Sequence, residues 1–469
     1  MNEIAARYSV LKQSADAHVA AAIEALVQQA PDHQLNRINV LEFAREHGFG
    51  EEQAIGAFLH ATRLGLFDMS WNVLCPGCGG VLDTNASLKT FTHDTCHCAL
   101  CAAGYEPSLD ETVEVSFTVS PRVRRIGAHD PDTLPIWDYT RQVFWSSGIA
   151  FPDDATFKAA LDRIVLDAVE LAAGEKIILS LQLPEAFLIV FDPVTHAAQF
   201  LTVKGEATDE RQQLTLVFNN VRAPTGTMEL RPGPLRLTLD NRAGRRVLPA
   251  VWIAGDELHD LLGHRRPFLT AKRLLTNQTF HDIYRADTLD IDQRLKLTSL
   301  TFLFTDLKGS TALYDRVGDL VAYDLVKAHF SLITTIVAEE TGCVVKTIGD
   351  AIMATFPSPD RALAAALRMR EAMRTLADGG ADDLILKIGL HEGPCLAVTL
   401  NDRLDYFGQT VNIAARVQGL AMSRAIFATE TILGHPEAPQ LIAGAGLSAA
   451  PQRHALRGIP GELTVYEIA

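Results

Sequence analysis

Phe304-Thr305-Asp306-Leu307-Lys308-Gly309-Ser310-Thr311 is the stretch on which the reading of this chain turns. The apolar run from Leu300 to Phe304 has the length and bulk of a strand, and a carboxylate stands at its end. A glycine and two hydroxyl residues follow at once, and a helical pattern opens behind them. Asp306, with Leu307 beside it, is thereby placed to hold a divalent cation. The backbone N–H groups of Lys308, Gly309, Ser310 and Thr311 stand at a helix start, where they can cradle phosphate. Further on, Lys346-Thr347-Ile348-Gly349-Asp350 brings a second aspartate to the turn of a short hairpin. Two carboxylates beside a phosphate cradle point to a two-metal site acting on a nucleoside triphosphate.

Working outward, the elements alternate. Leu300 to Thr305 reads as a strand, Val317 to Glu340 as a helix and Val344 to Phe356 as a hairpin. Arg361 to Leu376 reads as a helix, Leu384 to His391 as a strand and Thr410 to Leu420 as a helix. This order predicts a sheet covered by helices.

Residues 297 to about 435, with Leu456-Arg457-Gly458 and Val465-Tyr466, resemble the catalytic domain of class III adenylate cyclases. The resemblance covers roughly a third of the chain and implies an α+β, ferredoxin-like catalytic domain. It implies that Asp306 and Asp350 bind two Mg²⁺ or Mn²⁺ ions, that Lys346 and Asp405 read adenine, and that Asn412 and Arg416 orient the ribose and stabilise the transition state. It also implies a head-to-tail homodimer, with the two aspartates of one subunit facing the other four residues of its partner. Leu396 to Arg403 lacks a glycine often found there in the family, so the resemblance does not fix the path of the chain before Asp405. Arg457 is the nearest C-terminal candidate for a phosphate-binding cation.

The residue chemistry agrees. Asn412 and Arg416 are four apart in a helical segment and share a face. A guanidinium there can meet charge developing on an α-phosphate, and an amide can orient a ribose oxygen. Lys346 only donates hydrogen bonds and ionised Asp405 only accepts them, which matches the acceptor N1 and donor amine of adenine. Guanine presents the reverse, and a mismatched pair would leave buried groups unpaired at about 1–3 kcal/mol each. ATP is therefore the expected substrate, with guanylate cyclase as the alternative. The other alternative is a catalytically silent nucleotide sensor whose N-terminal region binds DNA or protein. His391, beside Glu392 at a strand end, reads as structural.

The chain has 469 residues, too many for one core, so roughly three domains are expected. A net charge of −15 argues against broad contact with nucleic acid or anionic membrane. No apolar run reaches the ~18 residues a membrane span needs, and the N-terminus lacks a signal-peptide pattern, so a cytoplasmic protein is expected. Residues 1–70 read as a helical, winged-helix-like segment with little to read bases. Residues 71–111 read as a zinc ribbon: Cys75-Pro76-Gly77-Cys78 and Cys98-Ala99-Leu100-Cys101 form two knuckles that converge on one structural Zn²⁺. Cys96 and His97 compete with Cys98 as ligands. Cys343 and Cys395 stand alone in apolar patterns and read as buried.

Residues 112–262 read as a mainly β domain, a sandwich opening with the alternating Val113 to Val119 and interrupted by a helix from Phe157 to Ala172. Residues 263–296 read as a helical transducer or linker ahead of the catalytic domain at 297–469. An unidentified small-molecule or protein regulator is expected to act on the N-terminal region.

Overall fold

The computed structural model describes residues 3–87, 95–219, 226–284, 295–308, 318–378, 385–400, 403–421 and 425–469. The chain divides into two compact units. One is formed mainly by residues up to Leu269; the other by Thr270 onward together with Ser108–Glu111.

The first unit begins with helices α1 (Glu3–Ser14), α2 (Ala17–Gln29), α3 (Val40–His47) and α4 (Glu51–Arg63). Asp16 accepts the His18 and Val19 N–H groups to open α2, Asn39 does the same for Leu41 and Glu42 in α3, and Gly48, at φ 70°, closes α3. Buried Ala54, Ala57 and Ala61 keep α4 slim on its packed side. Phe58 meets Phe43, Phe67 and Phe117 at ring-centroid distances of 5.1, 5.2 and 5.2 Å. Strand β1 (Phe67–Leu74) leads into β2 (Val81–Asn85), and β3 (Cys96–Cys98) pairs with β4 (Ala103–Tyr105). Strand β5 (Val113–Val119), expected to open the β domain, pairs instead along the whole of β1, giving the order β2-β1-β5. The reason is burial on both faces: Val113, Val115 and Phe117 serve one core, while Glu114 and Ser116 hydrogen-bond Asn72 on the other.

The sandwich is present. Helix α5 (Asp154–Ile164) ends earlier than its expected limit at Ala172, and the β-branched Val165 starts β6 (Val165–Ala168). Strands β7 (Lys176–Leu183), β8 (Ala186–Asp192), β9 (Ala197–Val203), β10 (Gln212–Phe218), β11 (Thr227–Leu230), β12 (Gly233–Asn241) and β13 (Ala250–Ile253) follow. They form sheets of order β10-β12-β7 and β11-β9-β8-β13-β6, whose inward leucines and valines share one core. Helix α6 (Asp256–Gly263) ends the unit's regular structure.

In the second unit the described part of the expected helical linker holds two short helices, α7 (Ala271–Leu275) and α8 (Gln278–Ile283), and residues 285–294 of it lie outside the described residues. Thr270 and Asn277 each cap a new start, which is why one helix does not run through. Then come β14 (Leu295–Lys308), α9 (Asp319–Glu339), β15 (Cys343–Ile348), β16 (Ala351–Phe356), α10 (Pro359–Asp378), β17 (Ile385–Leu400), β18 (Arg403–Phe407), α11 (Gln409–Leu420), β19 (Ile426–Thr429), β20 (Ala449–Ala455) and β21 (Glu462–Ile468). The sheet order is β15-β16-β14-β17-β19-β21-β20, with β18 added to the far end of β17.

Helices α9 and α10 cover one face of this sheet through Val326, Ile333, Ala362 and Met369. Contrary to the expectation that no apolar run reaches span length, helix α9 is long and apolar enough to cross a membrane by length and composition. On the other face α11 crosses β17 so closely that a Cβ on Gly389 would lie 2.2 Å from the Gln418 backbone nitrogen. Glycine is required there.

Candidate functional site

Residues of β14 alternate between the faces, so Phe302, Phe304 and Asp306 point toward the α11 side while Leu303 and Leu307 enter the core under α9 and α10. Asp306, half-buried, stands opposite Lys387 on β17, and Lys387 Nζ lies 3.0 Å from its Oδ2. Nothing in the sequence reading singled out Lys387; the one signal was a charge inside the apolar strand Ile385-Leu386-Lys387-Ile388.

Asp350 follows Gly349, whose φ of 63° makes the tight turn between β15 and β16. Thr305 pairs with Ile352, so Asp306 and the turn lie at the same end of the sheet. Leu307 is buried and Lys308 exposed at the end of β14; Gly309, Ser310 and Thr311 lie outside the described residues. Behind the turn, His329 of α9 is buried, and desolvation pushes it down to about 4 despite the nearby Asp350 carboxylate.

Lys346 and Asp405 meet directly, with Nζ 2.6 Å from Oδ2. The hairpin of β17 and β18 makes this possible by setting Asp405 opposite Val398. This is the path that the sequence alone left open. Asp405 is buried and Lys346 half-exposed, so the pair has one wet side.

Asn412 is exposed on α11, and Arg416 lies one turn along. The Arg416 guanidinium rests against Gly458 in the turn between β20 and β21, where an added Cβ would lie 3.4 Å from Nη2. Its Nη1 is buried without a hydrogen-bond partner among the described residues. A buried, uncommitted guanidinium nitrogen is costly unless an anion arrives to meet it. Arg457 is exposed in the same turn. His391 is buried, bonds Thr429 Oγ1 at 2.8 Å and is pushed by burial down to about 4.

In the first unit the Sγ atoms of Cys75, Cys78, Cys98 and Cys101 all lie within 4.8 Å of one another. Cys96 and His97 are not part of that group. Hydrogen bonds from the other thiols, Cys101 first, push the Cys75 thiol far down, and the same crowding pushes Cys78 and Cys98 up. Tetrahedral zinc with Zn–S of about 2.3 Å requires S–S edges of about 3.8 Å. The Cys75–Cys101 and Cys78–Cys98 separations are both 3.7 Å.

With this geometry in hand, comparison with known proteins gives the class. Residues 293–438 match the family described as Adenylate and Guanylate cyclase catalytic domain, so the C-terminal part is a class III nucleotidyl cyclase catalytic domain. Residues 1–282, more than half of the chain, match the family of unknown function DUF5939, and the chain belongs to that family. It is similar to adenylate cyclase 2 of Rhizobium meliloti (30% identical over 183 residues, 36% of this chain and 49% of that protein). It is also similar to an adenylate cyclase of Anabaena cylindrica (26% over 185 residues, 36% of each). The chain thus spans less than half the length of these two relatives. Among solved structures, the adenylyl cyclase CyaB of P. aeruginosa aligns over 38% of this chain and 96% of that one, with 20% identity and a TM-score of 0.33.

Proposed function

We propose that the protein is an adenylate cyclase that converts ATP to 3′,5′-cyclic AMP and pyrophosphate. The observation that carries this reading is the Lys346–Asp405 pair, one donor and one acceptor held 2.6 Å apart. Lysine has three donors and the carboxylate several lone pairs, so each can keep its partner and still meet adenine. Asp405 accepts from the C6 amine and Lys346 donates to N1.

Asp306 and Asp350 supply hard oxygen ligands at one end of the sheet, which suits Mg²⁺ or Mn²⁺. Two such ions would lower the pKa of the ribose 3′-hydroxyl and neutralise the β- and γ-phosphates. Lys387 donates to the Asp306 carboxylate and orients it. The Lys308 to Thr311 segment contributes backbone N–H groups to the triphosphate. Asn412 orients the ribose, and the uncommitted Nη1 of Arg416 meets charge as it builds on the α-phosphate.

A homodimer fits the exposed apolar side chains of this unit: Ile348, Leu396, Leu400 and Phe407 are 53%, 37%, 46% and 50% exposed. Leu396 and Phe407 are register partners, so the patch is continuous across β17 and β18. Residues 1–296 form the regulatory region in this reading. The four cysteines hold structural Zn²⁺ as a ribbon-like knuckle pair, and residues 1–70 act as a winged-helix-like docking module rather than a nucleic-acid reader. A cavity of about 460 Å³ lined by Arg37, Glu42, Arg141, Trp145 and Arg266 offers a small polar regulator a seat. An ATP substrate is consistent with a catalytic domain that works in the cytoplasm.

The test is incubation of the full-length protein with ATP or GTP and Mn²⁺, beside Asp306→Ala. Cyclic AMP from the wild type alone supports the reading. Cyclic GMP in excess of cyclic AMP replaces it with guanylate cyclase. Nucleotide binding without turnover replaces it with a silent sensor.

A further inference from the structure

Gln278 opens α8, in the short segment that precedes the catalytic strands. Its Oε1 accepts the Val344 N–H at 2.8 Å, and its Nε2 donates to Asp282 Oδ1 at 3.1 Å, so one orientation of the amide satisfies both partners. Val344 lies on β15, the edge strand of the sheet, immediately before a bulge. Val344 opposes Ala354, but Lys346 opposes Met353, which leaves Val345 as the extra residue.

That extra residue decides where Lys346 points. In unbroken register Lys346 would stand opposite Ile352, whose side chain is fully buried in the core under α9 and α10. A one-residue shift moves every later side chain to the other face, and bulges beside functional sites re-aim residues in this way. With the bulge, Lys346 joins the face of Met353 and Phe304 and reaches Asp405. The Asp405 side is tethered to the same segment: Tyr406, buried, places its hydroxyl 3.4 Å from the Leu275 carbonyl at the end of α7.

We propose that Gln278 is a positioning residue that pins β15 in its bulged register and so aims Lys346 at Asp405, making the Leu275–Gln278 segment a determinant of base choice. The proposal rests on the adenylate cyclase reading above. Its registry half can be tested apart from that reading.

Full-length wild type, Gln278→Met and the double variant Gln278→Glu with Asp282→Asn are compared by initial rates with ATP and with GTP, and by amide hydrogen exchange of residues 343–348 without nucleotide. Methionine removes the acceptor; glutamate keeps an oxygen for the Val344 N–H and is made together with Asp282→Asn, whose amide donates to the second glutamate oxygen where the Asp282 carboxylate would repel it. Loss of one such hydrogen bond predicts an ATP-over-GTP ratio of kcat/KM about tenfold lower in Gln278→Met, carried by KM for ATP. Exchange at Val344 becomes faster in the same variant, and both properties return to wild-type values in the double variant. An equal loss on both nucleotides, or an unchanged ratio, overturns the proposal. If the wild type turns over neither nucleotide, the cyclase reading fails by itself. Faster exchange at 344–348 in Gln278→Met then still supports the positioning role, and unchanged exchange overturns it.

Discussion

Lys346 and Asp405 are 59 positions apart in sequence, yet their charged groups lie 2.6 Å apart. Each comes from a different hairpin, so the contact depends on two independent registers, that of β15 on β16 and that of β18 on β17. Replacing Lys346 by alanine should raise KM for ATP and lower discrimination against GTP by roughly tenfold, the value of one charge-assisted hydrogen bond. Parallel initial-rate series with the two nucleotides measure it. Unchanged discrimination would remove the pair from base reading.

In the proposed reaction Arg416 meets a charge that exists only in the transition state. Arg416→Ala should lower kcat by about 10²-fold or more and leave KM within a few-fold. A variant that loses affinity but keeps kcat would assign this arginine to ground-state binding instead.

The exposed Leu396–Phe407 pair predicts that association precedes activity. Phe407→Glu should yield a folded monomer with little cyclase activity, because a charge placed in an apolar contact is costly to desolvate. Sedimentation across a concentration series, run beside the activity assay, reads both. A fully active Phe407→Glu monomer would reject the shared site.

The cysteine cluster should hold one metal per chain. Cobalt substitution should give the thiolate charge-transfer and tetrahedral d–d bands of a four-sulfur site. A chelator strong enough to strip the metal should lower the melting temperature of the wild type. Cys78→Ser should abolish the bands, whereas Cys343→Ser should keep them, since Cys343 lies apart from the four.

His391 makes stability depend on pH. Its folded value is pushed down to about 4 by burial, against 6.5 when unfolded. The fold therefore holds a neutral imidazole, and the unfolded chain binds the extra proton between those values. Stability from this group is complete above about pH 6.5, declines as pH falls toward 4, and declines no further below it. The whole window is worth on the order of 3 kcal/mol. Urea midpoints from pH 7 to 4 should show a steeper fall for the wild type than for His391→Gln.

Much of the catalytic unit is legible in the sequence because its residues sit at local punctuation. Asp306 ends an apolar run, Asp350 follows a turn glycine, and Asn412 and Arg416 keep helical spacing. Lys387 was not legible, since its role comes from standing opposite Asp306 across two strands, a register that no local pattern encodes. The bulge at Val345 was equally hidden: one residue of slip leaves no mark on a short β-branched run. Strand β5 escaped for the opposite reason. Its strict alternation announced a strand but not the sheet it would join.

The match to the family of unknown function ends at residue 282 and that to the cyclase domain begins at 293, which invites a cut between them. The contacts lie elsewhere. Leu275 and Gln278 bond Tyr406 and Val344, and Asp110 accepts the Thr298 and Ser299 N–H groups where β14 bulges. A fragment begun at 293 would expose an unpaired Val344 amide and an uncapped bulge on the strand that carries Asp306. The two families are therefore not interchangeable parts of one chain. Exchange of this N-terminal half for another at residue 282 would carry away contacts that belong to the catalytic fold.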